Sequence, residues 1–406
     1  MAKSKSIRSD SRPIRTLIVE LNEDGTVGGS HQVLFDSVRL MNRDRVSPVV
    51  AFYQENPFVR RLRALGLEVH VFSSLRSQEL RRYRSGSLIE RYWGLLGAIR
   101  ARWQLIRKLK IDLVHINNSP QVAAHDWLPA SRIIGVPIIA SAMGDAAYID
   151  RRFRRAIIRR YNHYLPVSQY MRRSLLAQGV SPARVTMVRN GVDTDRIHSR
   201  IVRSREQVRH DLEVLPEQTL GVMVGNVRRW KGQGVVLEAL AKVPSDLRSR
   251  LVIAFAGSDD PQNRDFRYEL DQKTQDLGLL AQIRWLGRRE DVPELFHAAD
   301  FGLHASVLPE PFGLVMAECM ATGTPVIAAQ EGGASEIISP GTGWVYPGGQ
   351  ADSLAELFTK VLREPEQFRV SADDCRRRAK EFSAERMAAE MEAVYLSVTA
   401  SRRRWW

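Results

Sequence analysis

Twelve short apolar runs recur along this 406-residue chain, each separated from the next by a longer stretch with helical spacing. In the first half they cover residues 16–21, 47–53, 68–74, 112–117, 136–141, 163–168 and 185–190. In the second half they cover 220–226, 251–257, 282–287, 299–306 and 324–329. Most are apolar without alternation (LVIAFAG at 251–257, for example), the pattern of strands buried on both faces. The segments between carry apolar residues at turns of a helix, as at Val33, Leu34, Val38 and Met41. Helices alternating with such strands imply parallel sheets covered on both sides, and two series of them predict two doubly wound α/β domains in tandem. The chain length agrees with two domains. The charged stretch 196–218 lacks strand character and reads as a linker with some helix. The predicted division is therefore 1–195, a linker at 196–218, 219–385, and a last segment 386–406 ending in a basic and aromatic tail.

Several function classes drop out early. Two cysteines, Cys319 and Cys375, cannot form a disulfide scaffold or a cysteine zinc cluster. Nine histidines include no HxxxH pair, so no metal site is predicted. No Walker A sequence and no G-x-G-x-x-G is present, which counts against an ATPase or a dinucleotide oxidoreductase. No run approaches the ~18 apolar residues of a membrane span. The run that follows the basic N-terminus, TLIVEL, is interrupted by Glu20 and does not make a secretory h-region. The expectation is a cytoplasmic protein, peripheral at most on the inner face of a membrane.

The stretch 299–343 carries the strongest chemical signal. Pro309 and Pro311 hold off helix until about Phe312–Gly313, and Gly323 ends it. The first N–H groups of that helix lack internal partners and form an anion site where a parallel strand ends. Glu310 precedes the helix and Glu318 lies inside it. Eight residues span roughly 12 Å if helical, more than the ~5–9.5 Å between the paired carboxylates of glycosidases. Two carboxylates so placed suit opposite ends of one long ligand, such as a nucleotide sugar. For either glutamate alone, a helix-dipole partner or a solvated side chain is the plainer reading. Cys319, beside Glu318, has no evident base and is not read as a nucleophile.

The segment Glu310-Pro-Phe-Gly-Leu-Val-Met-Ala-Glu318 resembles the E-x7-E signature of the retaining glycosyltransferase family 4, of GT-B architecture. Gly323-Thr-Pro-Val, Gly332-Gly-Ala-Ser-Glu336 and Gly341-Thr-Gly343 follow at the spacing of that family. Upstream, Asn190-Gly-Val-Asp193, Lys231-Gly232 and Gly28-Gly29 match in order. The resemblance implies two Rossmann-like domains facing across a cleft, with the last helix returning to the first domain. It implies sugar transfer from a nucleotide-diphosphate sugar with retention, no cofactor and no obligatory metal. By motif position Glu310 would contact the donor sugar and Glu318 the ribose hydroxyls. The backbones of Phe312, Gly313, Leu314 and Val315 would meet sugar and phosphate, and Lys231 would neutralise the departing diphosphate. Gly28 and Gly29 would let the first domain approach the phosphate closely.

The chain departs from the family twice. Asn226 stands where the family's phosphate-clamping arginine is expected, with Arg228 and Arg229 as the nearest substitutes. Met143-Gly144-Asp145 stands where the family often has a histidine; Asp145 is a candidate sugar contact, or the segment is a plain turn. His115, near the loop after the fourth strand, is an acceptor-side candidate, whereas His304 reads as a satisfied buried histidine.

The charge of +14 is unevenly spread. Residues 1–200 hold 34 Lys and Arg against 16 Asp and Glu, whereas 201–406 hold 26 against 30. Ten cations lie in 76–110, interleaved with Tyr83, Tyr92, Trp93 and Trp103, and eight arginines lie in 151–173. A solvated basic face and a nucleic-acid surface are possible readings. An anionic membrane surface fits better beside a sugar-transfer site, because lipid head groups attract cations and aromatics settle at the interface. The expected partners are a nucleotide-sugar donor, a glycan or lipid-linked acceptor and an anionic membrane, with no nucleic acid. The expected role is cell-surface polysaccharide or lipopolysaccharide synthesis; the alternatives are a non-catalytic nucleotide- or glycan-binding protein, or an epimerase of the same architecture.

Overall fold

The computed structural model describes residues 12–21, 28–72, 87–118, 125–144, 158–259 and 264–402. It divides into two compact units, Met1–Arg189 with Ala384–Trp406, and Asn190–Ser383. The first unit holds a six-stranded sheet of β1 (Ile14–Glu20), β2 (Val46–Phe52), β3 (Glu68–Val71), β4 (Leu113–Ile116), β5 (Ile138–Ala142) and β6 (His163–Pro166). The strand order is β3-β2-β1-β4-β5-β6, and every pair is parallel. Leu17 in the central strand faces Val49 on one side and Val114 on the other, and all three are buried.

The second unit repeats this plan with β7 (Thr219–Val224), β8 (Leu251–Ala256), β9 (Ile283–Gly287), β10 (Phe301–His304), β11 (Val326–Ala329) and β12 (Gly343–Tyr346). Its order, β12-β11-β10-β7-β8-β9, is the same arrangement written from the other edge. The α/β tandem read from the sequence is therefore present, with corrections at the margins. Residues 185–190 form no strand; they meet β6 at the Tyr164–Val185 bridge and through the Thr186 and Val188 amides, which donate to the Tyr164 and Pro166 carbonyls at 3.0 and 3.1 Å. The edge strand β12 escapes the sequence reading because its four residues are glycine-led and mostly part-exposed. The stretch 196–218 contains most of the helix Thr194–Ser199 and the whole of Arg205–Asp211.

The helix Ala384–Arg402 packs in the first unit against the helix Gly29–Leu40. Its Glu392 accepts a hydrogen bond from the Asn42 amide and lies 3.4 Å from Arg45. Its Tyr395 hydroxyl meets His115 Nδ1 at 2.6 Å, and Ser141 Oγ meets His115 Nε2 at 2.9 Å. Arg102, one of the cations in the basic stretch, is buried rather than on the surface. Its guanidinium lies 3.3 Å from Asp126 and about equally far from the rings of Phe72 (5.0 Å) and Trp127 (5.1 Å). The end of the tail, 403–406, lies outside the described residues. Among the described residues, no helix is long and apolar enough to cross a membrane.

Burial pushes the His115 imidazole down to about 3. Below its ordinary pKa of 6.5 the unfolded chain binds a proton that the folded chain refuses until about 3. The stability contributed by neutral His115 is therefore complete above pH 6.5 and is lost as pH falls toward 3. Full loss amounts to roughly 5 kcal/mol. Denaturant titrations from pH 7 to 4 are expected to show this acid limb in the wild type and a shallower one in His115→Gln.

Candidate active site

Reversal of strand order between β7 and β10 leaves a crevice at their carboxyl ends, the usual ligand position in an open parallel sheet. The loop after β7 contains a short turn, Arg229–Lys231, followed by Gly232 at φ +84°. A Cβ at Gly232 would lie 1.9 Å from the Ala305 carbonyl oxygen, so only glycine lets this loop rest against the end of β10. The contact places Lys231 Nζ 2.7 Å from Glu310 Oε2, with 19% and 15% of the two side chains exposed. Lys231 Nζ also lies 4.0 Å from the centroid of the Trp230 ring.

Glu310 is held from several directions. Ser306 Oγ donates to its Oε2 at 3.3 Å, and His304 Nε2 lies 3.4 Å from the same oxygen. The Glu310 carbonyl accepts from the Gly333 amide at 2.8 Å. Gly332, at φ +82°, permits this approach, since a Cβ there would fall 2.1 Å from the Glu310 carbonyl oxygen. Burial alone would raise the Glu310 pKa, but the His304 hydrogen bond and the Lys231 charge outweigh it. The carboxyl is kept well below the usual range and stays ionised at neutral pH. His304 is thus more than a satisfied core histidine: its Nε2 serves Glu310 and Ser306, and its buried Nδ1 has no partner among the described residues.

The helix starts at Leu314, slightly later than the sequence suggests, with Gly313 as N-cap, and ends at Ala321. Phe312 is buried edge-on to Phe382, 5.7 Å between centroids, so it offers the site its backbone. Leu314 and Val315 form the half-buried first turn, and Glu318 follows one turn later. The Asn226 carbonyl accepts from Gln233 Nε2 at 3.2 Å. Arg229 is exposed, paired with Glu269 at 2.5 Å and laid over the Phe266 ring, whereas Arg228 is half-buried. Cys319 donates to the Thr324 carbonyl at 3.5 Å, and burial lifts its thiol well above the ordinary range.

In the first unit the equivalent reversal lies between β1 and β4. Gly28 caps the helix that Gly29 opens, and a Cβ at Gly28 would meet nothing within 4 Å among the described residues. Behind it lies Glu20, the last residue of β1, almost wholly buried. Asn117 Nδ2 donates to Glu20 Oε2 at 2.6 Å and to the Ser30 carbonyl at 3.1 Å, while Ser30 Oγ donates to Glu20 Oε1 at 3.3 Å. Burial outweighs these hydrogen bonds and raises the Glu20 carboxyl to about 7. The sequence reading registers Glu20 only as an interruption of an apolar run. Its signal is a lone carboxyl closing a central parallel strand. His115 is a correction: it sits inside β4, fully buried and bonded at both ring nitrogens, and fastens the last helix instead of facing an acceptor. Asp145 lies outside the described residues.

Residues 204–382 match the family described as glycosyl transferases group 1, and residues 58–196 match Glycosyltransferase Family 4. The chain belongs to the group 1, family 4 glycosyltransferases. A D-inositol 3-phosphate glycosyltransferase of Geodermatophilus obscurus is 31% identical over 226 residues, 53% of this chain and 48% of that protein. An alpha-maltose-1-phosphate synthase of Mycolicibacterium smegmatis is 28% identical over 333 residues, 72% of this chain and 83% of that protein. The chain spans about half the length of the first curated relatives it matches. HepE from Anabaena, solved in complex with UDP and glucose, superposes with a TM-score of 0.76 at 23% identity, covering 94% of this chain and 99% of that one. That likeness establishes the GT-B class of two-domain α/β fold for this family member.

The two glycines flanking Gln233 provide a test of the loop geometry. Gly232→Ala is expected to lower stability by about 2 kcal/mol or more, from positive φ and the clash with Ala305. Gly234→Ala, with only an ordinary 3.8 Å contact to Leu270, is expected to be neutral or stabilising by about 0.5–1 kcal/mol. Chemical denaturation of both variants measures the contrast.

Proposed function

We propose that this chain transfers a sugar from a nucleotide-diphosphate donor to a glycan or lipid-linked acceptor, with retention at the anomeric carbon and no obligatory metal. The Lys231–Glu310 pair at the carboxyl ends of β7 and β10 carries the reading. Departure of the nucleoside diphosphate leaves an electron pair on a phosphate oxygen. A fixed ammonium and the N-terminus of the helix Leu314–Ala321 stabilise charge growing there. In this reading Glu310 holds the donor sugar and Glu318 the ribose hydroxyls. The backbones of Phe312, Gly313, Leu314 and Val315 line the sugar and phosphates. Arg228, part-buried next to Lys231's turn, supplements Lys231 where the family arginine is replaced by Asn226; Arg229 is exposed and paired with Glu269. Gly28 and Gly29 receive the diphosphate in the first unit.

The UDP complex of the structural neighbour makes a uridine donor the first to test. The phosphate in the names of the curated relatives supports an anionic acceptor, which suits the basic first half. Turnover is measured by nucleotide release from UDP-, GDP- and ADP-sugars with lipid-linked and phosphorylated acceptors. Glu310→Ala and Lys231→Ala are each expected to lower kcat about 10²–10³-fold while remaining folded. Full turnover in either variant would place the site elsewhere; nucleotide binding without turnover in the wild type would favour a non-catalytic protein.

The helix Leu88–Lys108 supports the inner membrane surface as a working place in polysaccharide or lipopolysaccharide synthesis. Ile89, Tyr92, Trp93 and Leu96, spaced i, i+3, i+4 and i+7, are 70%, 59%, 66% and 38% exposed. Arg100, Arg107 and Lys108 are exposed on the same helix. An exposed apolar stripe with aromatics and nearby cations suits an anionic lipid interface. The full chain is expected to sediment with phosphatidylglycerol vesicles and much less with phosphatidylcholine alone. Tyr92→Ser combined with Trp93→Ser is expected to weaken that binding about tenfold or more. Equal affinity for neutral and anionic vesicles would remove the membrane from this proposal.

A further inference from the structure

The buried carboxyl behind the glycine turn of the first unit has no place in the proposed chemistry, yet it adjoins the turn assigned to the diphosphate. We propose that Glu20 is a positioning residue for phosphate binding at Gly28–Gly29, and that it takes up a proton when the anionic group of a nucleotide-diphosphate sugar arrives there. The inference rests on the proposed donor reading of that turn.

The geometry supplies the link. Glu20 Oε1 accepts from the hydroxyl of Ser30, in the first turn of the helix Gly29–Leu40, and Glu20 Oε2 accepts from Asn117, which also holds the Ser30 carbonyl. The carboxyl therefore sits behind the helix N-terminus to which an incoming phosphate would be drawn. Two anions cannot share that positive end without repulsion, so arrival of one favours neutralisation of the other. Glu20 is already poised for this, because burial brings its pKa to about 7. Its partners tolerate the added proton. The Ser30 hydroxyl can turn from donor to acceptor, and Asn117 Oδ1, buried and without a partner among the described residues, becomes an acceptor if the amide rotates.

Among the described residues, no cation contributes to the Glu20 shift. The titratable and charged side chains on the elements packed around β1 are His31, Asp36 and Arg39 on the helix Gly29–Leu40 and His115 on β4. The helix Ala384–Arg402 adds Glu385, Arg386, Glu390, Glu392, Tyr395 and Arg402. β2 contributes none. None of them is among the causes of the Glu20 shift. His115 is bonded to Tyr395 and Ser141, Asp36 accepts from Gln32, and Glu392 is engaged by Asn42 and Arg45. His31 lies against the rings of Phe52 and Phe58 and is the neighbour most able to imitate a Glu20 titration.

The test is calorimetric titration of the full chain with UDP-glucose from pH 6 to 8.5, in buffers of different ionisation enthalpy. Its phosphodiester groups do not titrate in that range. Wild-type affinity is expected to fall above pH 7, by up to tenfold per pH unit, with net proton uptake on binding. Glu20→Gln, which copies the neutral carboxyl, is expected to bind with nearly pH-independent affinity and no uptake. Ser30→Ala, which removes a donor to the ionised form, is expected to move the wild-type midpoint to higher pH. Absence of proton uptake in the wild type, or an unmoved midpoint in Ser30→Ala, would overturn the inference. So would a profile retained in Glu20→Gln, which would assign the proton to another group, His31 first. Failure of wild type and both variants to bind UDP-glucose at any pH would instead overturn the donor reading beneath it.

Discussion

A parallel sheet sends all its strands toward the same edge, and where the order of strands reverses, the connecting helices diverge and leave an opening. In both units this opening lies between the first and fourth strands, β1 and β4 or β7 and β10. Every group assigned to chemistry follows from it: Lys231 reaches Glu310 only because the loop leaving β7 and the loop leaving β10 emerge side by side. Gly232 and Gly332 act on the same arrangement, since each removes the one side-chain carbon that would hold the loops apart. The ion pair is thus a product of topology and two missing methyl groups more than of attraction between its members.

Two carboxyls at these openings behave oppositely, although both are largely withdrawn from water. Glu310 has a lysine, a histidine and a serine converging on one oxygen, and stays charged. Among the described residues Glu20 has only neutral donors, and its proton is nearly balanced between bound and free at neutral pH. Burial is common to both, so the sign of each shift is decided by what opposes it: at Glu310 the His304 hydrogen bond and then the Lys231 charge outweigh burial, whereas at Glu20 the neutral donors do not. The same contrast divides the arginines of the basic half. Arg102 is enclosed by Asp126 and aromatic rings and belongs to the core, while Arg100 and Arg107 on the same helix remain at the surface.

Sheet architecture was legible because covered parallel strands leave apolar runs; β7, β8, β10 and β11 of the second unit announce themselves this way, and the edge strand β9 does so more weakly, through a run broken by Arg284. The sixth, Gly343–Tyr346, is an edge strand with one side of its ladder unpaired; its apolar part is only three residues long, Trp344–Tyr346, and follows the glycine turn 341–343, so no run stands out. The run 185–190 has the right composition and does bond to β6, but the contact is too short to make it a strand. At the site, Glu310, Lys231 and the helix start were readable from motif spacing. His304 was read only as a core residue, because contact with Glu310 depends on the turn between them. Glu20 and Asn117 lie about a hundred residues apart, and their meeting depends on strand pairing that no local pattern reports. His115 erred in the other direction: a polar residue near a strand end looked available, yet the last helix, some 280 residues later, seals it.

That last helix also makes the first unit discontinuous along the chain. Asn190–Ser383 is contiguous, whereas the first unit lacks Glu392 and Tyr395 until the whole second unit has been made after it. At ~5–20 residues per second the interval is about 10–40 s. During it, the face of the helix Gly29–Leu40 that the last helix covers stands open, and His115 lacks one of its two partners. The order of folding is therefore inverted with respect to the order of translation: the half made first is finished last.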